Sequence, residues 1–170
     1  KLVFLITGTS RGIGKALASY YLDLGHIIFG CSTGNATIEH ANYSHFKIDL
    51  SNHDEVISLV QFVRKNSDRL DVLINNAGVV NTSYQETGDG IENTFAVNHL
   101  GYFLFTNLLI NKMKGEEETR IISVSSAAHS FVKDMNWKNI NFKNDFGQGL
   151  KVYAQSKLAN LLFTRHLAIK

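Results

Sequence analysis

The feature that most constrains this chain is the order in which short apolar runs and longer amphipathic stretches follow one another. "KLVFLITG" (1–8) is β-rich and lacks polar alternation, the pattern of a strand buried on both faces. "IGKALASYYLDLG" (13–25) then sets Ile13, Leu17, Tyr20, Tyr21 and Leu24 at helical spacing and stops at Gly25. "HIIFGCS" (26–32) is a second strand and "SHFKIDL" (44–50) a third. Ser51 or Asn52 caps a helix that runs through about Lys65. "LDVLINNAG" (70–78) is the fourth strand, a helical region extends from about Gly88 to Lys114, and "RIISVSS" (120–126) is the fifth. After a loop holding Trp137, a last helix covers about Leu150 to Ile169. Between the second and third strands lies only "TGNATIEHANY" (33–43), too short for a full helix with two loops, so a loop or a single helical turn is expected.

Strands alternating with helices in short units predict an α/β fold in which a parallel sheet is covered on both faces. Right-handed crossovers make that sheet doubly wound, a three-layer α/β/α arrangement of about five strands. No internal repeat, low-complexity segment or linker interrupts it, and residues 1–170 are expected to form one domain.

Composition narrows the function. Apolar residues make up 44% of the chain and charged residues 19%, which is globular composition. A net charge of +2 with no dense basic run argues against a nucleic-acid or anionic-membrane partner. Glu116, Glu117 and Glu118 read as a solvated loop ahead of a strand. The single cysteine, Cys31, excludes an intrachain disulfide and fits a reducing compartment, so a cytoplasmic location is expected. No apolar run approaches the roughly 20 residues of a membrane span, and an opening strand is not a signal peptide. Absent proline and an absent initiator methionine suggest a fragment or an engineered chain. The seven histidines show no ligand spacing and the lone cysteine adds none, so no metal is expected.

The first strand-to-helix turn reads T-G-T-S-R-G-I-G over residues 7–14. Gly8, Gly12 and Gly14 stand where the chain must turn tightly, approach a ligand closely and pack a helix on the sheet. Free N–H groups and the dipole at that helix start favour a phosphate, with Ser10, Arg11 and Ile13 in the same turn. The P-loop alternative fails because no Gly-Lys-Ser/Thr follows.

The spacing T-G-x-x-x-G-x-G resembles that of the short-chain dehydrogenase/reductase family, and further motifs follow in that family's order. Asp49 and Leu50 end the third strand, where the family holds the adenine. "NNAG" (75–78), with Asn76, Ala77 and Gly78, ends the fourth. "VNHLG" (97–101) carries Asn98, "VSS" (124–126) carries Ser126, and "YAQSK" (153–157) carries Tyr153 and Lys157. The resemblance spans essentially the whole chain. "VNHLGYFLFTNLL", "SVSSAAH" and "YAQSKLANLLFTRHLA" look like the retinol-dehydrogenase-like branch, while the first 60 residues look more like bacterial members.

That resemblance implies a Rossmann fold, a nicotinamide dinucleotide, and interconversion of an alcohol with its ketone or aldehyde by hydride transfer. On a helix, residues four apart share a face with Cβ atoms about 6 Å apart, so the Lys157 ammonium falls near the Tyr153 phenol. Free tyrosine, with a pKa near about 10, is a poor base at neutral pH, and a nearby cation favours phenolate. The resemblance makes Tyr153 the acid/base and gives Lys157 the nicotinamide ribose as well. It has Ser126 bonding the substrate oxygen and Asn98 holding a water that links Lys157 to solvent. The second strand ends Cys31, Ser32, Thr33, Gly34 with no acid to bond a ribose 2′-OH, and Arg11 can reach a 2′-phosphate, so NADP is expected over NAD.

The expected partner is a small carbonyl or alcohol substrate. Family members continue past the Tyr–Lys helix, whereas this sequence ends at Lys170. "RIISVSS" is therefore expected to be an edge strand that invites self-association into a homo-oligomer, with weak cofactor binding. A non-catalytic dinucleotide-binding fragment or pseudo-enzyme of the same family is the alternative. A Rossmann-like methyltransferase is disfavoured by the missing acid after the second strand and by "YAQSK" itself.

Overall fold

A computed structural model describes residues 1–113 and 119–169; the Glu116–Glu118 cluster lies outside them. Five strands, β1 (Val3–Thr7), β2 (Ile27–Ser32), β3 (Tyr43–Lys47), β4 (Val72–Asn75) and β5 (Arg120–Ser123), form one sheet in the order β3-β2-β1-β4-β5. Every pairing is parallel, with β1 central: Leu5 stands opposite Phe29 of β2 and Leu73 of β4. The α/β, doubly wound sheet expected from the alternation is present.

Alternation along β1 explains why both faces must be covered. Leu5 packs with Leu73, with Val56, Leu59 and Val60 of α2 (His53–Asn66), and with Phe105 and Leu109 of α4 (Gly101–Met113). Phe4 and Ile6 face the other way, onto Ala18 and Leu22 of α1 (Gly12–Asp23). Each side chain taken fully out of water at these positions contributes about 1.5–3 kcal/mol. A third cluster, Phe95, Phe142, Phe146 and Val152, seats α5 (Leu150–Leu167) beside the chain after β5.

Several boundaries differ from the periodicity, each for a local reason. The helical region expected from Gly88 begins only at α3 (Asn93–Phe95). Gly90 takes φ +72° in a turn closed by Thr87 N–H onto Ile91 O (2.8 Å), and the chain becomes helical only where Glu92 caps it. That carboxylate is fully buried and accepts from Thr94 N–H (2.9 Å) and Phe95 N–H (2.7 Å). The backbone then widens into a π-helical turn, Ala96–Leu100, before α4. β3 stops at Lys47, short of Asp49, whose carboxylate accepts from the N–H and O–H of Ser51 (2.8 Å each) and turns the chain toward α2. β4 ends at Asn75 and β5 at Ser123, so "NNAG" and "VSS" sit at and beyond the strand ends. Residues 33–42 form a loop, as the short spacing requires, and β3 takes up the chain at Tyr43.

Among the described residues β5 has β4 on one side and no strand on the other, which makes it the expected edge; Ile122 on it is 45% exposed.

The α2 cap is the clearest local stability element. Asn52 Oδ1 accepts from Asp54 N–H (3.1 Å) and Glu55 N–H (3.3 Å), and Glu55 reaches back to Asp49 N–H (2.7 Å). Asn52→Ala should lower the free energy of unfolding by about 1 kcal/mol. Urea titration with an unchanged midpoint would contradict the cap.

Candidate functional site

The ends of β1 and β4 are laced together. Thr7 Oγ1, fully buried, accepts from both Asn76 N–H and Ala77 N–H at 2.9 Å, and Asn76 Nδ2 donates to Thr7 O at 2.8 Å. The glycine turn therefore lies directly on the "NNAG" turn. A side chain at Gly8 would come within 2.9 Å of Ala77 Cα, and one at Gly14 would collide with the Gly8 carbonyl. Gly8 and Gly12 hold φ of +78° and +58°, a region that favours glycine. Arg11 precedes α1 with no side chain closing the helix start.

One cavity of about 360 Å³ opens between these turns, within the size range of small-molecule sites. Gly8, Ser10, Arg11, Gly12 and Ile13 form one wall. Ser32 and Thr33 come from the end of β2, Asp49 and Leu50 from beyond β3, and Asn76, Ala77 and Gly78 from beyond β4. All lie outside the carboxyl ends of the strands, where ligands of open α/β sheets bind. Gly14 does not line the cavity; it serves the helix–turn packing behind it. Cys31, Ile48, Val79, Asn93 and Val97 line it too and were not expected. Four of them are sequence neighbours of expected residues, a signal that was legible; Asn93 arrives only through the fold. Burial pushes the Cys31 thiol up to about 12, so it is an inert apolar wall at neutral pH.

None of the other four expected residues lines this cavity, and two of them, Asn98 and Lys157, stand directly behind its Gly78 wall. Lys157, on α5, is 3% exposed and donates from Nζ to Val124 O at 3.1 Å. Its ammonium lies 5.6 Å from the Tyr153 ring centre and 5.8 Å from that of Tyr102. Burial lowers its pKa to about 8. A Cβ added at Gly78 would stand 3.5 Å from Nζ, which puts the ammonium just behind the cavity wall. Tyr153 is half-buried one turn earlier on the same helix face. Ser125 Oγ donates to Lys157 O (3.0 Å), tying the end of β5 to α5. Ser126 Oγ accepts from Ala128 N–H (3.2 Å), capping a short 3₁₀ turn, Ala127–Phe131.

Asn98 sits in the π-helical turn with its amide committed to protein partners. Oδ1 accepts from Val79 N–H (2.8 Å), and Nδ2 donates to Val79 O (2.9 Å) and Ser156 Oγ (3.1 Å). Its own carbonyl accepts from Asn160 Nδ2 at 2.8 Å. Tyr102, fully buried, donates to Ala77 O (2.7 Å), so the "NNAG" wall is clamped from two positions. Among the described residues no group of three His, Cys, Asp or Glu side chains could hold a metal ion. Likewise, no helix among them is long and apolar enough to cross a membrane.

Residues 2–138 match the family model described as short chain dehydrogenase. Retinol dehydrogenase 14 of Mus musculus is 37% identical over 185 residues, covering 96% of this chain and 55% of that protein. Retinol dehydrogenase 13 of Homo sapiens is 36% identical, covering 96% and 53%. The chain thus spans about half the length of the curated relatives it matches. Among solved structures, a protein from Mycobacterium paratuberculosis superposes with TM-score 0.82 at 31% identity, covering 98% of this chain and 61% of that one. Ligand-free aldohexose dehydrogenase of Thermoplasma acidophilum gives 0.75 at 25% identity, covering 99% and 61%.

The buried ammonium has a measurable signature. Lys157 titrates at about 8 when folded and near about 10.4 when unfolded. Between those values the unfolded chain holds more protons, so this residue's contribution makes stability rise with pH; below the folded pKa the cost of the buried charge is present in full. The melting temperature of Lys157→Met minus that of the parent should therefore shrink as pH climbs through this window. A difference that stays flat from neutral to alkaline pH would contradict a desolvated ammonium.

Proposed function

Because this chain belongs to the short chain dehydrogenase family, we propose that it binds a nicotinamide dinucleotide in the cavity, NADP(H) in preference to NAD(H), and interconverts an alcohol with its aldehyde or ketone. The observation that carries the proposal is the Lys157 ammonium, desolvated against the ring of Tyr153 immediately behind the Gly78 wall.

The residues present fit the cofactor. Nothing stands within 4 Å of where a Cβ of Gly12 would be, so a phosphate can approach the backbone at the start of α1. Asp49 and Leu50 flank a place for the adenine, and Ser32 and Thr33 one for its ribose. No carboxylate ends β2, and Arg11 lines the same cavity as Ser32, which favours a 2′-phosphate. The dinucleotide, when bound, supplies the carbon that takes or gives the hydride.

The chain's own groups handle the proton. Tyr153 exchanges it with the alcohol oxygen, with the buried Lys157 ammonium 5.6 Å from its ring centre. The ammonium donates to Val124 O and not to the phenol oxygen, which leaves that oxygen for substrate. Ser126 accepts one backbone hydrogen bond and keeps its own proton to donate to a substrate oxygen as charge develops there. Asn98 is a positioning residue: by joining Val79 to Ser156 it holds the cavity wall against α5.

One observation favours a second reading, a dinucleotide-binding chain without turnover: the cavity stops short of Tyr153 and Ser126. NADPH oxidation with a panel of aldehydes and ketones, run beside a binding titration, separates the two. The names of the similar proteins place retinal and retinol on that panel.

Tyr153→Phe should abolish turnover and leave the dissociation constant for NADP+ within about twofold, since only the transferable proton is lost. A Tyr153→Phe protein as active as the parent would sink the mechanism. For the cofactor, Arg11→Ala should weaken NADPH by about tenfold and leave NADH nearly unchanged, the loss expected of one charge-assisted contact. Equal affinities for the two in the parent would contradict the preference.

A further inference from the structure

Ser32 is met from behind by a residue of the neighbouring strand: His45 Nε2 lies 2.9 Å from Ser32 Oγ. The register of the sheet explains the meeting. Gly30 carries no side chain, and Tyr43 lies across that gap to pair with Thr9 Oγ1 at 2.8 Å. His45, two residues on along the same face of β3, is the next side chain over β2 and lands on Ser32. The Ser32 hydroxyl has one proton and two neighbours that can take it, the imidazole and Gly34 O at 3.2 Å.

We propose that the Ser32–His45 pair reads the 2′ substituent of the adenosine ribose. With both ring nitrogens protonated, Nε2–H donates into Ser32 Oγ, and the serine turns an O–H and a neighbouring positive charge toward a 2′-phosphate. With the ring neutral and Nε2 bare, the serine O–H donates its hydrogen bond to the ring and presents lone pairs, which suit the donor of a 2′-hydroxyl and repel phosphate oxygens. This assignment rests on the dinucleotide reading of the cavity and adds to it a positioning residue on β3.

The surroundings support a titratable role. Burial holds the His45 pKa below its ordinary value, so in the free protein the ring is neutral near pH 7. Ser32 is its hydrogen-bond partner among the described residues. The titratable groups nearby are Tyr43, its ring centre 6.1 Å away, and Lys47, flanking His45 on the same face of β3. Around them stand Arg11 at the cavity, Glu39 and His40 in the exposed loop, and Asp49, engaged by Ser51. The Cys31 thiol lies in the core on the opposite face of β2. A 2′-phosphate arriving beside the ring supplies the anion that favours imidazolium, so its binding draws in a proton.

The test is calorimetric titration of the chain with NADP+ and NAD+, both stable in acid, from about pH 8 down to about pH 6 in buffers of different ionisation enthalpy. In the parent, preference for NADP+ should rise by about tenfold across that range, one pK unit of coupling, with net proton uptake near neutrality. His45→Gln keeps a hydrogen-bonding partner for Ser32 without a titrating ring. It should lose both the rise and the uptake while binding NAD+ as the parent does. Titration of the phosphate itself, which releases protons on binding, is common to both proteins and cannot imitate this. Ser32→Ala leaves the imidazole but removes the relay, and should likewise lose the rise in NADP+ preference as pH falls. If both variants bind NAD+ and keep the parent's pH dependence and proton uptake, the pair does not read the 2′ position and the cavity assignment still stands. A parent that binds neither dinucleotide overturns both.

Discussion

The joint on which the cavity depends is the Thr7 hydroxyl at the end of β1. It is fully buried and holds two successive backbone N–H groups of the "NNAG" turn. Hydrogen bonds of this kind contribute only about 1 kcal/mol each net of water, but a buried donor left unpaired costs more than that. Satisfying Asn76 and Ala77 through one oxygen fixes the exit of β4 against the exit of β1 more firmly than the strand pairing alone. Gly8 and Gly14 follow from it. With the two turns in contact, no room remains for side chains at either position. The cavity is what is left between turns that cannot separate.

The second constraint is electrostatic. Lys157 is removed from water at a real cost, visible in its lowered pKa. Its helix is held in place by contacts that do not involve the ammonium. Ser125 binds the Lys157 carbonyl, Asn98 reaches Ser156, and Gln155 accepts from Asn136 N–H and donates to Asp134 O. These bonds make α5 a rigid carrier and let the charge stay where two tyrosine rings face it. Cation–π contact at that range returns about 0.5–2 kcal/mol, and the Val124 carbonyl supplies one direct acceptor. The cation is thus held beside Tyr153 by the frame rather than by an ion pair of its own.

Where pattern and structure parted, packing or a local cap was responsible. The sequence predicts a helix from about Gly88, but Gly90 turns the chain and Glu92 caps the helix only at Asn93. The π-helical turn leaves no mark in the hydrophobic spacing, yet it is where Asn98 is presented to Val79. His45 carried no signal among the seven histidines, since nothing local relates it to Ser32 thirteen residues earlier.

The sequence by itself determined the strand–helix alternation, the two-sided burial of β1, the glycine turn, and the order of the residues that line the cavity or stand beside it. Those properties reside in residue spacing, in the φ that glycine permits, and in the i, i+4 geometry of a helix, all of which act between near neighbours along the chain. Only the tertiary structure decided that Lys157 is buried and its pKa low, that the amide of Asn98 is spent on a wall, and that His45 stands behind Ser32. Each of these depends on contacts between elements distant in sequence, as the separation of 69 residues between Thr7 and Asn76 shows. Burial and hydrogen-bond partnership at such distances are properties of the packed sheet and helices, and no local pattern carries them.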